Sequence, residues 1–230
     1  MTVTAPKGFV AAGAHCGIKE SGAPDLSLVA TADHAPVAAA GVFTQNLACA
    51  GPVQVSRRHL ETTAGRAAAV VLNSGNANCA TGSDVDVAEQ MCALAAKGLG
   101  CAADEVLVCS TGLIGIPLPL EPLRSGIPTL VDVLSTDGGS AAATAIMTTD
   151  TVSKQVVIER DGWTIGGMAK GAAMLAPNMA TMLAVLTTDA ALSAEELQPR
   201  LQAAVETTFN RVVVDGCTST NDTVLVLANG

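Results

Sequence analysis

The sequence predicts an α+β fold with substantial sheet. Short apolar runs broken by glycine and polar turns dominate the first third of the chain, and apolar residues at helical spacing begin at Asp84. No G-x-G-x-x-G or phosphate-loop signature follows any candidate strand, which argues against a parallel nucleotide-binding fold. In chain order, residues 26–31, 37–44, 52–56 and 67–73 read as strands. A helix follows over 84–98: Val87, Met91, Leu94 and Ala95 share one face, Asp84 can cap the start and Gly98 can end the last turn. Residues 105–109 read as a buried strand that runs into the turn Ser110-Thr111-Gly112, where glycine permits close backbone approach. Helices are expected at 129–134 and 140–147, and strands at 155–158, 163–168 and 182–187. Ser193 and Glu196 form a capping-box pattern for a helix that reaches about Phe209, with Pro199 opposing a perfectly regular one. Residues 211–214 and 223–227 complete the list as strands. Neither a repeat nor a low-complexity linker divides the chain into independently folding parts.

Composition narrows the function. The 230 residues are 49% hydrophobic, but much of this is alanine and no apolar run approaches the roughly 20 residues of a membrane span. The first residues lack a basic region followed by an apolar stretch, so cytoplasmic residence is expected. A net charge of −9, with no basic cluster larger than Arg57-Arg58, opposes nucleic-acid binding. The seven cysteines form no C-x-x-C pair and read as reduced thiols. His15, His34 and His59 stand apart from one another, so a metal site or a histidine-based triad has little support and no cofactor or metal is expected.

The segment Lys170-Gly171-Ala172-Ala173-Met174-Leu175-Ala176-Pro177-Asn178-Met179-Ala180-Thr181-Met182-Leu183 delivers a threonine to the start of an apolar strand. Taken alone it is a loop entering a core strand. It resembles, however, the self-cleavage region of the ornithine acetyltransferase family, K-G-x-x-M-x-x-P-x-x-A-T-M/L-L, at every fixed position. Asn73-Ser74-Gly75-Asn76-Ala77-Asn78 with Thr81-Gly82, Ser110-Thr111-Gly112-Leu113-Ile114-Gly115, Ala145-Ile146-Met147-Thr148-Thr149-Asp150 and Ser219-Thr220-Asn221-Asp222-Thr223 also resemble family stretches, in the family's order.

The resemblance implies a layered sheet-and-helix architecture of the DmpA and ornithine acetyltransferase type, αββα-like. It implies a cut between Ala180 and Thr181, giving an amino-terminal chain of residues 1–180 and the start of a carboxy-terminal chain at 181–230. Thr181 would be the nucleophile, with its new α-amino group, of intrinsic pKa about 7.7 to 8.0, as base. The hydroxyl would take an acetyl group from N-acetylornithine and pass it to glutamate in a double displacement. Acetyl-CoA is a further donor that the sequence neither requires nor excludes. The Thr111 hydroxyl and Gly112 N–H are implied as oxyanion donors, and Thr148, Lys170 and Thr181 as substrate contacts; a lysine ammonium suits the carboxylate that both substrates carry. Asn73, Asn76 and Asn78 are read as structural, because asparagines beside glycine commonly bond local backbone.

Family members continue beyond the position of Gly230 and draw further substrate contacts from that portion, so the chain is expected to be a fragment of a longer precursor, with α and β chains assembling as α2β2. The alternatives are an aminopeptidase or amidase with the same nucleophile, and a truncated, non-catalytic binding protein.

Overall fold

In the computed structural model, which describes residues 2–172 and 182–230, the chain runs β1 (Phe9–Ala14), β2 (Leu26–Thr31), β3 (Val37–Phe43), α1 (Gly51–Thr62), β4 (Arg66–Ala67), β5 (Ala69–Asn76), α2 (Asp84–Leu99), β6 (Val106–Leu113), α3 (Leu120–Asp132), α4 (Gly139–Ala145), β7 (Lys154–Arg160), β8 (Trp163–Lys170), β9 (Leu183–Thr188), α5 (Ala194–Thr207) and β10 (Thr223–Ala228). Two sheets form, in the orders β1-β2-β5-β6 and β4-β3-β10-β9-β8-β7. The pairs β5–β6 and β9–β10 are parallel, and the remaining neighbours are antiparallel.

Strand alternation builds the layers, because successive side chains leave a strand on opposite faces. In the four-stranded sheet Leu28, Ala30, Val71, Val106 and Val108 meet Met91, Ala95, Leu123 and Ile127 of α2 and α3. Their neighbours Val29, Val70, Leu72, Leu107 and Cys109 point the other way, onto Met168, Leu183, Val185, Leu225 and Leu227 of the six-stranded sheet. On that sheet's outer face Ala184, Val224 and Val226 receive Leu197, Leu201 and Val205 of α5. Helices, sheet, sheet and helix therefore stack in the αββα order expected. Strands buried on both faces read as near-continuous apolar runs, as 69–72 and 224–227 do.

Several local expectations are corrected. Residues 52–56 lie in α1, not in a strand: Pro52 is favourable in a first turn, and Val53, Val55, Ser56 and His59 form the buried face. The helix closes the free edge of β6, where the Ser56 Oγ donates to Val108 O at 2.7 Å and accepts Val108 N–H at 2.8 Å, while His59 Nδ1 meets Val106 O at 2.8 Å. Asp84 caps this helix instead of its own, its Oδ2 accepting the Gly51 N–H at 2.9 Å. The last turn of α2 ends at Gly100, in left-handed conformation with φ +76°, two residues past Gly98. The helix expected at 129–134 begins nine residues earlier and runs through Pro128, because burial of Leu123, Ile127 and Leu130 on one face outweighs the proline. Residues 211–214 form no strand, and Val212, Val213 and Val214 are exposed.

Strand β1 escaped the reading because its small residues carry little hydrophobic signal. They are small because α4 lies on them, and a Cβ on Gly13 would sit 2.2 Å from Ala141 O. Replacing Ser56 with alanine leaves the buried Val108 N–H without its acceptor. We expect a loss of about 1–3 kcal/mol, measured as a lowered urea midpoint with an unchanged slope.

Candidate active site

The carboxyl ends of the parallel strands β5 and β6 meet the end of β8 and the starts of β9 and β10. Register places Asn73 beside Ser110, Ser74 beside Thr111 and Gly75 beside Gly112. Gly112 has φ +137°, and a Cβ there would lie 2.3 Å from the Gly75 carbonyl carbon and 2.4 Å from Asn76 N. The turn therefore demands glycine on two counts, backbone conformation and close approach.

Lys170, the last residue of β8, turns inward between the sheets and is only 2% exposed. Its Nζ donates to Thr111 Oγ1 at 3.1 Å, bridging the two sheets. Burial pulls the ammonium below its ordinary pKa, while Asp150 and Asp222 act to keep it charged. Thr111 is itself buried, so its hydroxyl sits in a place where a donor is worth more than it would be in water.

Thr148 is half-buried in the loop after α4, and its N–H points at Asp150 Oδ2 at 3.4 Å. Asp150 Oδ1 accepts the Gly171 N–H at 2.8 Å and pairs with Lys154 Nζ. Burial works against that carboxylate's charge, but Lys154 and these backbone donors outweigh it and hold the group below the usual range. One carboxylate thus ties the Thr148 loop to the end of β8. Thr111, Gly112, Thr148 and Lys170 are brought to one region; Ala180 and Thr181 lie outside the described residues.

The asparagines of the 73–78 stretch bond backbone. Asn73 Nδ2 donates to Asn76 O at 2.8 Å, Asn76 Nδ2 to Ile116 O at 2.9 Å and Asn78 Nδ2 to Asp84 O at 2.8 Å. Ser74 Oγ donates to Ala145 O at 2.5 Å and fixes the end of α4 against β5.

Four residues here had no role in the sequence reading. Lys19 Nζ donates to Pro24 O and Met147 O, each at 2.7 Å, beside the Thr148 loop. Asn221 Nδ2 donates to Ala77 O at 2.7 Å and Ser110 O at 2.9 Å, tying the approach to β10 to both parallel strand ends. Asp222 is fully buried, and its Oδ1 accepts the Met182 N–H at 2.7 Å. Burial pushes its carboxyl up to about 7, against the opposing pull of the Met182 N–H, the Ser219 hydroxyl and Lys170. Asp150 is the fourth. For Asp222 the available signal was its place immediately before the apolar strand β10, where a carboxylate is out of place unless something binds it.

The model of the ArgJ family matches residues 10–230. An arginine biosynthesis bifunctional protein ArgJ from Streptomyces coelicolor is 54% identical over 100% of this chain and 60% of its own length. The one from Mycobacterium leprae is 52% identical over 99% of this chain and 58% of its own length. The chain thus spans 60% or less of these two curated relatives. Among solved structures, the ornithine acetyltransferase of Mycobacterium tuberculosis complexed with ornithine superposes with a TM-score of 0.72 at 47% identity, covering 76% of this chain and 94% of that one. A β-aminopeptidase from Burkholderia covers 100% of this chain and 72% of its own at TM-score 0.57 and 15% identity, a likeness of fold alone.

Two substitutions test the geometry. Gly112→Ala forces a methyl into the Gly75 backbone in a left-handed conformation and should cost about 2 kcal/mol or more, read as a fall in Tm. Lys170→Met removes the cation that favours the Asp222 carboxylate, so the Asp222 titration should move still higher than about 7, followed by carbon-13 NMR of the labelled carboxyl.

Proposed function

This chain belongs to the ArgJ family, and we propose that it forms the greater part of an acetyltransferase that carries the acetyl group of N2-acetylornithine to L-glutamate on Thr181. The observation that carries the reading is the Lys170–Thr111 bridge. It gathers a buried ammonium, a buried hydroxyl and the glycine turn at the point where residue 182 leads into β9.

In this reading the precursor cuts itself between Ala180 and Thr181. The Thr181 hydroxyl attacks the Ala180 carbonyl, the resulting ester is hydrolysed, and the freed α-amine becomes the base that the three histidines do not supply. The amine then takes the hydroxyl proton, the oxygen attacks the acetyl carbonyl of the donor, and ornithine leaves. Glutamate reverses the sequence. Each half-reaction passes through an oxyanion that the Thr111 hydroxyl and Gly112 N–H stabilise, a contribution of about 2.7 to 4 kcal/mol per donor. Lys170 and Thr148 contact the substrate, with the ammonium answering a carboxylate common to both.

Two observations support division of the chain. The aligned region takes 94% of the solved M. tuberculosis chain but 76% of this one, so that polypeptide is shorter than this chain, whereas the curated relatives are longer; a precursor in two pieces gives this pattern. Strands β9 and β10 also lie inside the six-stranded sheet, between β8 and β3, so residues 1–180 and the portion from 181 would stay joined by hydrogen bonds on both sides. The reading includes an α2β2 assembly, which native mass spectrometry checks. Cytoplasmic residence fits seven free cysteines, and among the described residues no helix is long and apolar enough to cross a membrane. The word bifunctional in the relatives' names extends the reading to acetyl-CoA as a second donor.

Denaturing mass spectrometry of an active preparation should find two pieces divided ahead of Thr181; an intact chain in working enzyme overturns the reading. Thr181→Ala should abolish both cutting and transfer, and Thr181→Ser should retain part of each. Thr111→Ala should lower kcat for acetyl transfer from N-acetylornithine to glutamate by about 10²–10³-fold, assayed with and without acetyl-CoA.

A further inference from the structure

The segment between β1 and β2 is organised by one carboxyl group. Asp25 is fully buried, and its oxygens accept four consecutive backbone N–H groups, from Cys16 at 2.7 Å, Gly17 at 3.3 Å, Ile18 at 2.8 Å and Lys19 at 2.9 Å. Burial works against its charge, but the N–H groups of Lys19, Cys16 and Ile18, with the Cys16 thiol, outweigh it and hold the carboxyl below its usual range. The backbone of the same residue is tied down too. Its N–H donates to Ala14 O and its carbonyl accepts the Ser74 N–H, each at 2.9 Å. A polar network satisfied in this way is stiff, and it delivers Lys19 to one place.

Lys19 touches both sides of the candidate site. Its Cγ lies 2.9 Å from where a Cβ on Gly75 would stand, so the stem crosses the strand end whose register partner is Gly112. Beyond that crossing Nζ donates to Met147 O and to Pro24 O, each at 2.7 Å. A lysine with its stem on the protein ordinarily leaves its head in water. Here the head is drawn onto two carbonyls, and among the described residues no carboxylate forms an ion pair with it. Burial lowers its pKa, with Asp25 opposing the shift.

We propose that Lys19 is a positioning residue for acetyl transfer, its ammonium holding Thr148 at a set distance from the Gly75 and Gly112 backbone. The proposal rests on the reading that Thr148 contacts the substrate and Gly112 the oxyanion. Thr148 follows Met147 directly, and the competing restraint on it is weaker: the Thr148 N–H reaches Asp150 Oδ2 only at 3.4 Å, whereas the Met147 contact is short and charge-assisted. Ser74 Oγ fixes Ala145 O two residues earlier, so the loop enters from a fixed point and Lys19 sets where it goes next. A displacement of about 1 Å at a substrate contact can cost about 10²-fold in rate.

A double-mutant cycle in the full-length gene product tests this, with kcat and KM measured for transfer from N-acetylornithine to glutamate. Lys19→Met keeps the stem over Gly75 and removes the donors. It should lower kcat/KM by about 10–10²-fold and divide the loss between kcat and KM as Thr148→Ala does. Added to Thr148→Ala, it should cost about twofold or less, because a residue that acts through another has nothing further to remove. Deuterium uptake over residues 146–150 should rise in Lys19→Met while β5 and β6 exchange as in wild type. Should Lys19→Met not fold, Lys19→Gln, neutral and shorter in reach, enters the same cycle. Losses that multiply in the double variant, or unchanged uptake over 146–150, overturn the proposal while leaving the acetyltransferase reading intact. A wild-type protein that transfers no acetyl group removes that reading and the proposal together, which separates the two failures.

Discussion

An ammonium can be buried between two sheets only if oxygen atoms reach it from the surrounding elements, because an isolated buried charge is far more costly than any one contact returns. Lys170 meets this condition through Thr111 on β6, with Asp150 from the loop after α4 and Asp222 before β10 supplying compensating charge. One side chain therefore needs all three elements near it. The same cluster makes the region unusual electrically, since one carboxyl is held down by Lys154 and backbone donors while another is pushed up by burial.

Around this centre the fold uses few devices. Period-two alternation supplies two faces per strand, and three apolar layers follow from it. Backbone contact is extremely close where β1 meets α4 and where Gly112 meets Gly75, and in each case glycine makes the approach feasible. The polar side chains of the 73–78 stretch bond backbone at strand ends, where the ladder itself can no longer satisfy the chain.

The α+β class and most strands were legible because fully buried strands such as 69–72 and 224–227 are continuous apolar runs, Ser193 with Glu196 announced α5 through a capping box that the structure contains, and the layered αββα order came from the family resemblance alone. What misled was local chemistry overruled by tertiary contact. Valines at 53 and 55 suggested a strand until Ser56 and His59 found partners on β6, and Pro128 hid a helix whose face was long enough to carry it. Thr111, Gly112, Thr148 and Lys170 could be singled out through motif resemblance. Asp150 and Asp222 lie in the same resembling stretches but drew no role from them, since their importance lies in which backbone donors and which cation the fold brings to them.

The seal on β6 has a consequence for behaviour in a crowded solution. An unpaired strand margin invites a foreign chain to add itself, the first event in sheet polymerisation and fibril growth. Here a serine and a histidine from α1 occupy backbone sites at Val106 and Val108 that an intruder would need. The four-stranded sheet is thereby protected against such recruitment along β6 by two side chains and without a further strand.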